Sequence, residues 1–136
     1  MDTEVKEICN LDKELYSCIT DNIATDKVVL TSKSIIHMAD HHPEAYNEVL
    51  IELKDTIQNP DYIIDDDIHE NTGLIVRRIS SSKEADEHTF IVLRICTNSQ
   101  NGQFANSIIS GWKISGKRLN SYLRNKHVLY KNEKFC

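Results

Sequence analysis

Six histidines occur in the 136 residues, and three of them fall within six positions, His37-Met38-Ala39-Asp40-His41-His42, with Pro43 following. On a helix that reaches His41, His37 and His41 share a face at i, i+4. That spacing serves zinc proteases when a glutamate follows the first histidine. Met38 stands in that place, which disfavours protease chemistry and leaves a metal site on His37, Asp40 and His41 as one alternative. The other is proton transfer without a metal. RNA is cut by its own 2′-hydroxyl when one group removes that proton and a second protonates the departing 5′-oxygen. Imidazole suits both tasks, since its reference pKa is about 6.5. His37 and His42 are the candidates to divide the two transfers.

Charge gathering on the phosphorane oxygens then needs cations or hydroxyl donors. Arg94 and Lys113 are the candidate cations, and Ser107 and Ser110 the candidate hydroxyls. If the strand carrying both serines is regular, their odd spacing sets them on opposite faces, so only one is expected to face a site. A solvated helix end and two ordinary surface cations are the plainer alternatives for these groups.

The elements that must position these residues follow from periodicity. Val5, Ile8, Leu15, Ile19 and Ile23 recur at roughly helical intervals, which predicts one or two helices over residues 4–23. Residues 27–31 are a short β-branched run, and Thr31 or Ser32 offers an N-cap for a helix through His37. Pro43 ends that helix or opens the next. Tyr46, Val49, Leu50, Leu53 and Ile57 form a helical stripe that Asn59-Pro60 stops. Strands are expected at 61–64, 73–79, 89–96 and 106–114, with a polar stretch over 80–87 and a turn at 98–102. Ser115 can cap a last helix carrying Leu119, Tyr122 and Leu123, and 128–130 reads as an edge strand. Asp65-Asp66-Asp67 reads as a polar turn, because consecutive carboxylates lack the alternating spacing of a calcium loop. Helices first and a meander afterwards is an α+β pattern: N-terminal helices packed on an antiparallel sheet of four to five strands, with a further helix near the C-terminus.

Composition sets outer bounds. The chain is 40% hydrophobic and 27% charged, which argues for one folded domain and against disorder. No apolar run approaches a membrane span, and the first residues do not resemble a secretory signal. Cys9, Cys18, Cys96 and Cys136 are scattered, so free thiols and a cytoplasmic location are expected. The net charge of −5 speaks against a nucleic-acid binder, but it is unevenly placed. Residues 1–106 carry 9 basic and 20 acidic side chains, whereas residues 107–136 carry 7 basic and 1 acidic. Lys117, Arg118 and Arg124 lie in the basic part. A local basic face can hold an anion on an acidic body.

Several short motifs, taken in order, resemble a known family. Val28-Val-Leu-Thr-Ser-Lys-Ser-Ile-Ile-His37, then His42-Pro43, then Ile57-Gln-Asn-Pro-Asp-Tyr-Ile63, and finally Ser107-Ile-Ile-Ser-Gly-Trp-Lys-Ile-Ser-Gly-Lys-Arg-Leu119 resemble the phage-type nucleases of the Barnase–EndoU–Colicin–RelE superfamily. The likeness covers roughly residues 27–131. It implies a nuclease domain over 27–136 preceded by a helical extension over 1–26. It also implies a metal-independent endoribonuclease of toxin type that needs no cofactor, acts on RNA (tRNA among the candidates) and has a neutralising antitoxin or immunity protein. His37, His42, Arg94 and one of Ser107 and Ser110 carry over as active-site groups. Lys113 carries over as a substrate contact, with His41 at the usual basic position; Lys117 and Arg118 of the basic segment, and Tyr122, whose ring could stack on a base or simply belong to the core, are further candidate contacts. Two positions depart from the pattern. His41 stands where a basic residue is usual, and Ser110-Gly111 replaces Thr-Ala, keeping the hydroxyl and loosening the strand. A non-catalytic RNA- or protein-binding module on the same fold is the competing expectation, as is a metal hydrolase using His37 and His41.

Overall fold

The computed structural model describes residues 4–79, 86–97 and 105–132. In chain order the elements are β1 (Val5–Asn10), α1 (Lys13–Tyr16), β2 (Lys27–Thr31), α2 (Ser32–His41), α3 (Tyr46–Gln58), β3 (Tyr62–Asp65), β4 (Thr72–Arg78), β5 (Glu87–Arg94), β6 (Asn106–Ser115), α4 (Gly116–Asn125) and β7 (Val128–Lys131). The strands make one sheet in the order β1-β2-β6-β5-β4-β3-β7. The architecture is α+β as expected, with seven strands among the described residues instead of four or five. Strands β3 to β6 form the predicted antiparallel meander. The pairing of β2 with β6 is parallel, so the sheet is mixed. The turn expected at 98–102, most of the polar stretch over 80–87, and Cys136 lie outside the described residues.

The first twenty residues depart most from expectation. Val5–Asn10 is an edge strand antiparallel to β2, with a bulge between Glu7 and Cys9. The helix that follows is a single turn, capped by Asp12, whose carboxylate accepts from the Glu14 and Leu15 amides at 3.0 and 3.2 Å. Aspartate favours caps over helix interiors, so it ends the run that hydrophobic spacing suggested. The segment packs on the rest of the domain. Tyr16 is fully buried, and its hydroxyl donates 2.8 Å to the Ile57 carbonyl in the last turn of α3, where helix carbonyls lack partners of their own.

Two cores flank the sheet. Met38 of α2 and Val49, Leu53 and Ile57 of α3 pack against Val28, Ile75, Ile91, Leu93 and Ile108 on one face. On the other face, Leu119 of α4 covers Ile64, Leu74, Val76, Phe90 and Ile114. β4 is buried on both faces, which is why residues 73–79 read as a continuous apolar run. Gly111 lies under the helices. A methyl there would stand 3.1 Å from Val49 Cγ1 and 3.3 Å from the Phe90 carbonyl oxygen. Its use is close approach between helix and strand, beyond the looser strand that sequence suggested.

The β2–β6 junction is short. Only Val28/Asn106 and Val29/Ser107 pair, after which β2 turns into α2 at Thr31, whose Oγ1 accepts the Ser34 amide at 3.1 Å. Fully buried Asn106 ties this point together. Its Oδ1 accepts the Cys96 amide at 2.8 Å, and its Nδ2 donates to the Thr25 and Lys27 carbonyls at 2.8 and 2.9 Å. Asn106→Ala removes three bonds and strands a buried N–H, and is expected to cost about 2–4 kcal/mol in urea unfolding. A loss below about 0.5 kcal/mol would show that water substitutes for the amide.

Candidate active site

Helix α2 runs alongside the part of β6 that β2 leaves uncovered, and its C-terminal end delivers the histidines. His37 and His41 lie one turn apart with ring centroids 4.3 Å from each other. His42 is the C-cap: its amide still bonds the Met38 carbonyl at 2.8 Å, but its backbone has left the helix (φ −139°, ψ 58°). Pro43 causes this, because a residue preceding proline is pushed out of the helical region. The cap swings the His42 ring onto Trp112 of β6, centroids 5.0 Å apart and planes within 16°. Trp112 in turn meets Phe90 at 4.8 Å, and Phe90 meets Tyr122 of α4 at 4.9 Å. These four rings form a row across the sheet, at spacings typical of aromatic pairs.

The row lines a cleft of about 470 Å³, a size usual for small-molecule sites. His37, His41 and His42 form one wall. Phe90, Val92, Ser110 and Trp112 lie on the floor with Leu74 of β4, and Tyr122 and Lys126 close another side. A second hollow of about 340 Å³ shares His42 and Trp112 with the first and is bounded by Lys113, Ile114, Ser115 and Arg118.

The two serines share one face after all. Across β5, Val92 opposes Ser110, Leu93 opposes Ile108 and Arg94 opposes Ser107, so Ile109 is an extra residue in a bulge. Two residues against one shifts the alternation by a step and puts Ser107 on the side of Ser110. The Ser110 hydroxyl is buried, lines the cleft and has no hydrogen-bond partner. Ser107 pairs with exposed Arg94 one step further along that face, so both extend the floor beyond the cleft without lining it.

The remaining candidates separate. Lys113 borders the second hollow, but its ammonium is held by Glu48 of α3 and Glu87 at 2.9 and 3.2 Å. The hydrogen bond to Glu48 is the chief reason its ammonium titrates above the usual lysine range. Lys117 is exposed on α4 and borders neither hollow, while Arg118 borders the second. Among the described residues, no group of three or more His, Cys, Asp or Glu is arranged to hold a metal ion, and His37, Asp40 and His41 make none.

Sequence reasoning missed two acid–base groups of the cleft, Asp66 and His69. Asp66 Oδ1 accepts the Ile68 amide at 3.0 Å, and Asp66 Oδ2 stands 3.0 Å from His69 Nδ1. Burial opposes the charge on Asp66, yet these bonds hold its carboxyl below the usual carboxylate range. The signal in the sequence was a histidine three residues after an aspartate inside a tight turn. Lys126, also in the cleft, is paired with Asp67 at 3.0 Å.

Comparison with protein families matches residues 6–121 to the model described as phage-Barnase-EndoU-ColicinE5/D-RelE like nuclease3. The match takes in most of β1 and all of α1. No curated protein and no solved structure matches the chain.

Because Lys113 faces α3, Lys113→Met is expected to lower stability by about 1 kcal/mol by breaking a partly buried ion pair. The urea-unfolding midpoint checks this, and an unchanged midpoint would show that the pair contributes nothing to the fold.

Proposed function

The chain belongs to the phage-Barnase-EndoU-ColicinE5/D-RelE like nuclease family, and from that premise we propose that it is a metal-independent endoribonuclease. The observation that carries this is the convergence of three α2 imidazoles and the unpartnered Ser110 hydroxyl on one cleft. The cleavage is a transphosphorylation. The 2′-oxygen bonds to phosphorus, the P–O5′ bond breaks with its electron pair leaving on O5′, and a 2′,3′-cyclic phosphate and a 5′-hydroxyl result. Imidazoles of the cleft carry the two protons, with His37 and His42 the α2 candidates. Ser110 donates to a phosphorane oxygen, and Arg94 with Ser107 meets the chain one step further along the face. Tyr122 and the Trp112 row offer stacking surface for a base, a contact tolerant of sequence.

Arg118 and Ser115 beside the second hollow suit a neighbouring phosphate, with Lys117 further out on α4. His41 takes the place of a permanent cation and would hold phosphate only when protonated. A toxin-type role in a phage or mobile element, with a neutralising antitoxin or immunity protein, goes with the family likeness. A non-catalytic binding module is the second reading. Its support is that Lys126, the one Lys or Arg among the described residues of the cleft, is already paired with Asp67.

RNA and the DNA of the same sequence, incubated with protein in EDTA, separate the two. Cleavage of RNA alone, ending in a cyclic phosphate, is expected, and His42→Ala should reduce turnover by about 10²–10⁴-fold. Binding without cleavage would favour the module, and loss of cleavage in EDTA would overturn metal independence.

A further inference from the structure

Four of the six histidines line the cleft, and only three come from α2. His69 comes from the turn between β3 and β4. That turn is built firmly. The Asp66 amide bonds the Thr72 carbonyl at 3.2 Å, and the Ile95 amide bonds the Asn71 carbonyl at 2.8 Å. Thr72 Oγ1 bonds the Glu70 carbonyl at 2.9 Å. Asn71 adopts φ 54°, a left-handed conformation that asparagine tolerates better than most residues. The backbone that carries His69 is thus held, and its side chain is 66% exposed.

The bond to Asp66 orients it further. An ionised carboxylate only accepts hydrogen bonds, so Nδ1 carries the proton at the 3.0 Å contact and Nε2 keeps its lone pair. A carboxylate behind an imidazole also stabilises the cation formed when the ring takes a proton. The sheet fixes where this ring stands relative to the others. The floor between them is made by Ser110 and Trp112 of β6, Phe90 and Val92 of β5, and Leu74 of β4. Three adjacent strands span two spacings, about 10 Å. The α2 imidazoles stand at the β6 end of that floor and His69 stands at the β4 end. All four imidazoles line the same cleft of about 470 Å³.

We infer that His69, held by Asp66, is the general base of the cleavage, opposite an α2 imidazole that acts as the acid. This rests on the nuclease reading above and divides the proton transfers differently from two α2 histidines alone. His69 Nε2 takes the 2′-hydroxyl proton as O2′ bonds to phosphorus. The α2 imidazolium gives its proton to O5′ as the P–O5′ bond breaks. Exchange with water returns both rings to their starting forms. Asp66 is a positioning residue, since it acts through His69.

The test is cleavage kinetics from pH 5 to 9 on a short single-stranded RNA with a fluorescent reporter. The titratable groups that share the cleft with His69 are Asp66 in its own turn, Lys126, which is bound to Asp67, Tyr122 of α4, and His37, His41 and His42 at the end of α2. His69→Ala is expected to lose about 100-fold or more in kcat with KM within about threefold. Its pH profile should lose the limb on which activity rises with pH, and added imidazole should restore part of the rate. His69→Gln, which keeps bulk and polarity, should be as slow as the alanine variant. Asp66→Asn should lose about tenfold and move that limb. A His69→Ala protein with full kcat and a two-limbed profile would overturn the inference. If His37→Ala and His42→Ala are slow at the same time, the nuclease reading survives that result. If all three variants cut RNA normally, histidine chemistry falls and the endoribonuclease reading stands without it; if the unsubstituted chain does not cut RNA, both proposals fall.

Discussion

Everything at the cleft depends on a parallel junction two residue pairs long. β2 touches β6 only at Val28/Asn106 and Val29/Ser107, and a single buried amide, Asn106, bonds three backbone groups around that contact. Parallel pairing is slightly weaker per residue than antiparallel pairing, so two pairs alone would hold β2 poorly. The Asn106 side chain supplies bonds that the ladder is too short to make. With β2 fixed, Thr31 caps α2 at a set point and the helix lies along the rest of β6. Gly111 permits that close approach, and Met38 and Val49 fill the space above it. The histidines are therefore positioned by a polar anchor some turns away from them.

The sheet also sorts charge. Lys113 lies on the helix side and is neutralised by Glu48 and Glu87, while Lys126 is neutralised by Asp67. The cleft side receives aromatic rings and imidazoles instead. A floor of this kind gives stacking area and a lowered local dielectric, in which each remaining polar contact is stronger than in water. It gives little long-range attraction for an anion, and the exposed cations Arg94, Lys117 and Arg118 lie outside it.

Much of this was legible in the sequence. The stripe at Tyr46, Val49, Leu50, Leu53 and Ile57 is α3, the β-branched runs are β2, β4, β5 and β6, and Ser115 does cap α4. These succeeded because local pattern and tertiary burial agree there. β1 was misread as helix because its partner, β2, lies some twenty residues on, and edge pairing leaves only a faint alternation. Ser107 was misassigned because a bulge has no local marker in Ser-Ile-Ile-Ser. The fate of Lys113 depended on Glu48, 65 positions earlier in the chain. His69 was passed over because the three aspartates before it read as a solvated turn, which they largely are.

An orphaned hydroxyl deserves caution as a sign of function. Thr56 and Thr89 are as buried as Ser110 and equally without partners. Leaving a buried hydroxyl unpaired costs about 1–3 kcal/mol, so the three such hydroxyls among the described residues are not all functional by that fact alone. Position separates them. Thr56 and Thr89 border neither hollow, whereas Ser110 lines the cleft beside the bulge at Ile109. Bulges gather next to active sites because they re-aim a side chain without breaking the sheet. In this chain the bulge brings Ser107 onto the face of Ser110, where Arg94 of β5 already lies by regular alternation, and so extends one polar strip beyond the cleft. A regular strand would have turned Ser107 toward the helices and left Ser110 the only hydroxyl on that strip. The extra residue at 109 is thus what makes the late sheet a partner for the early helix.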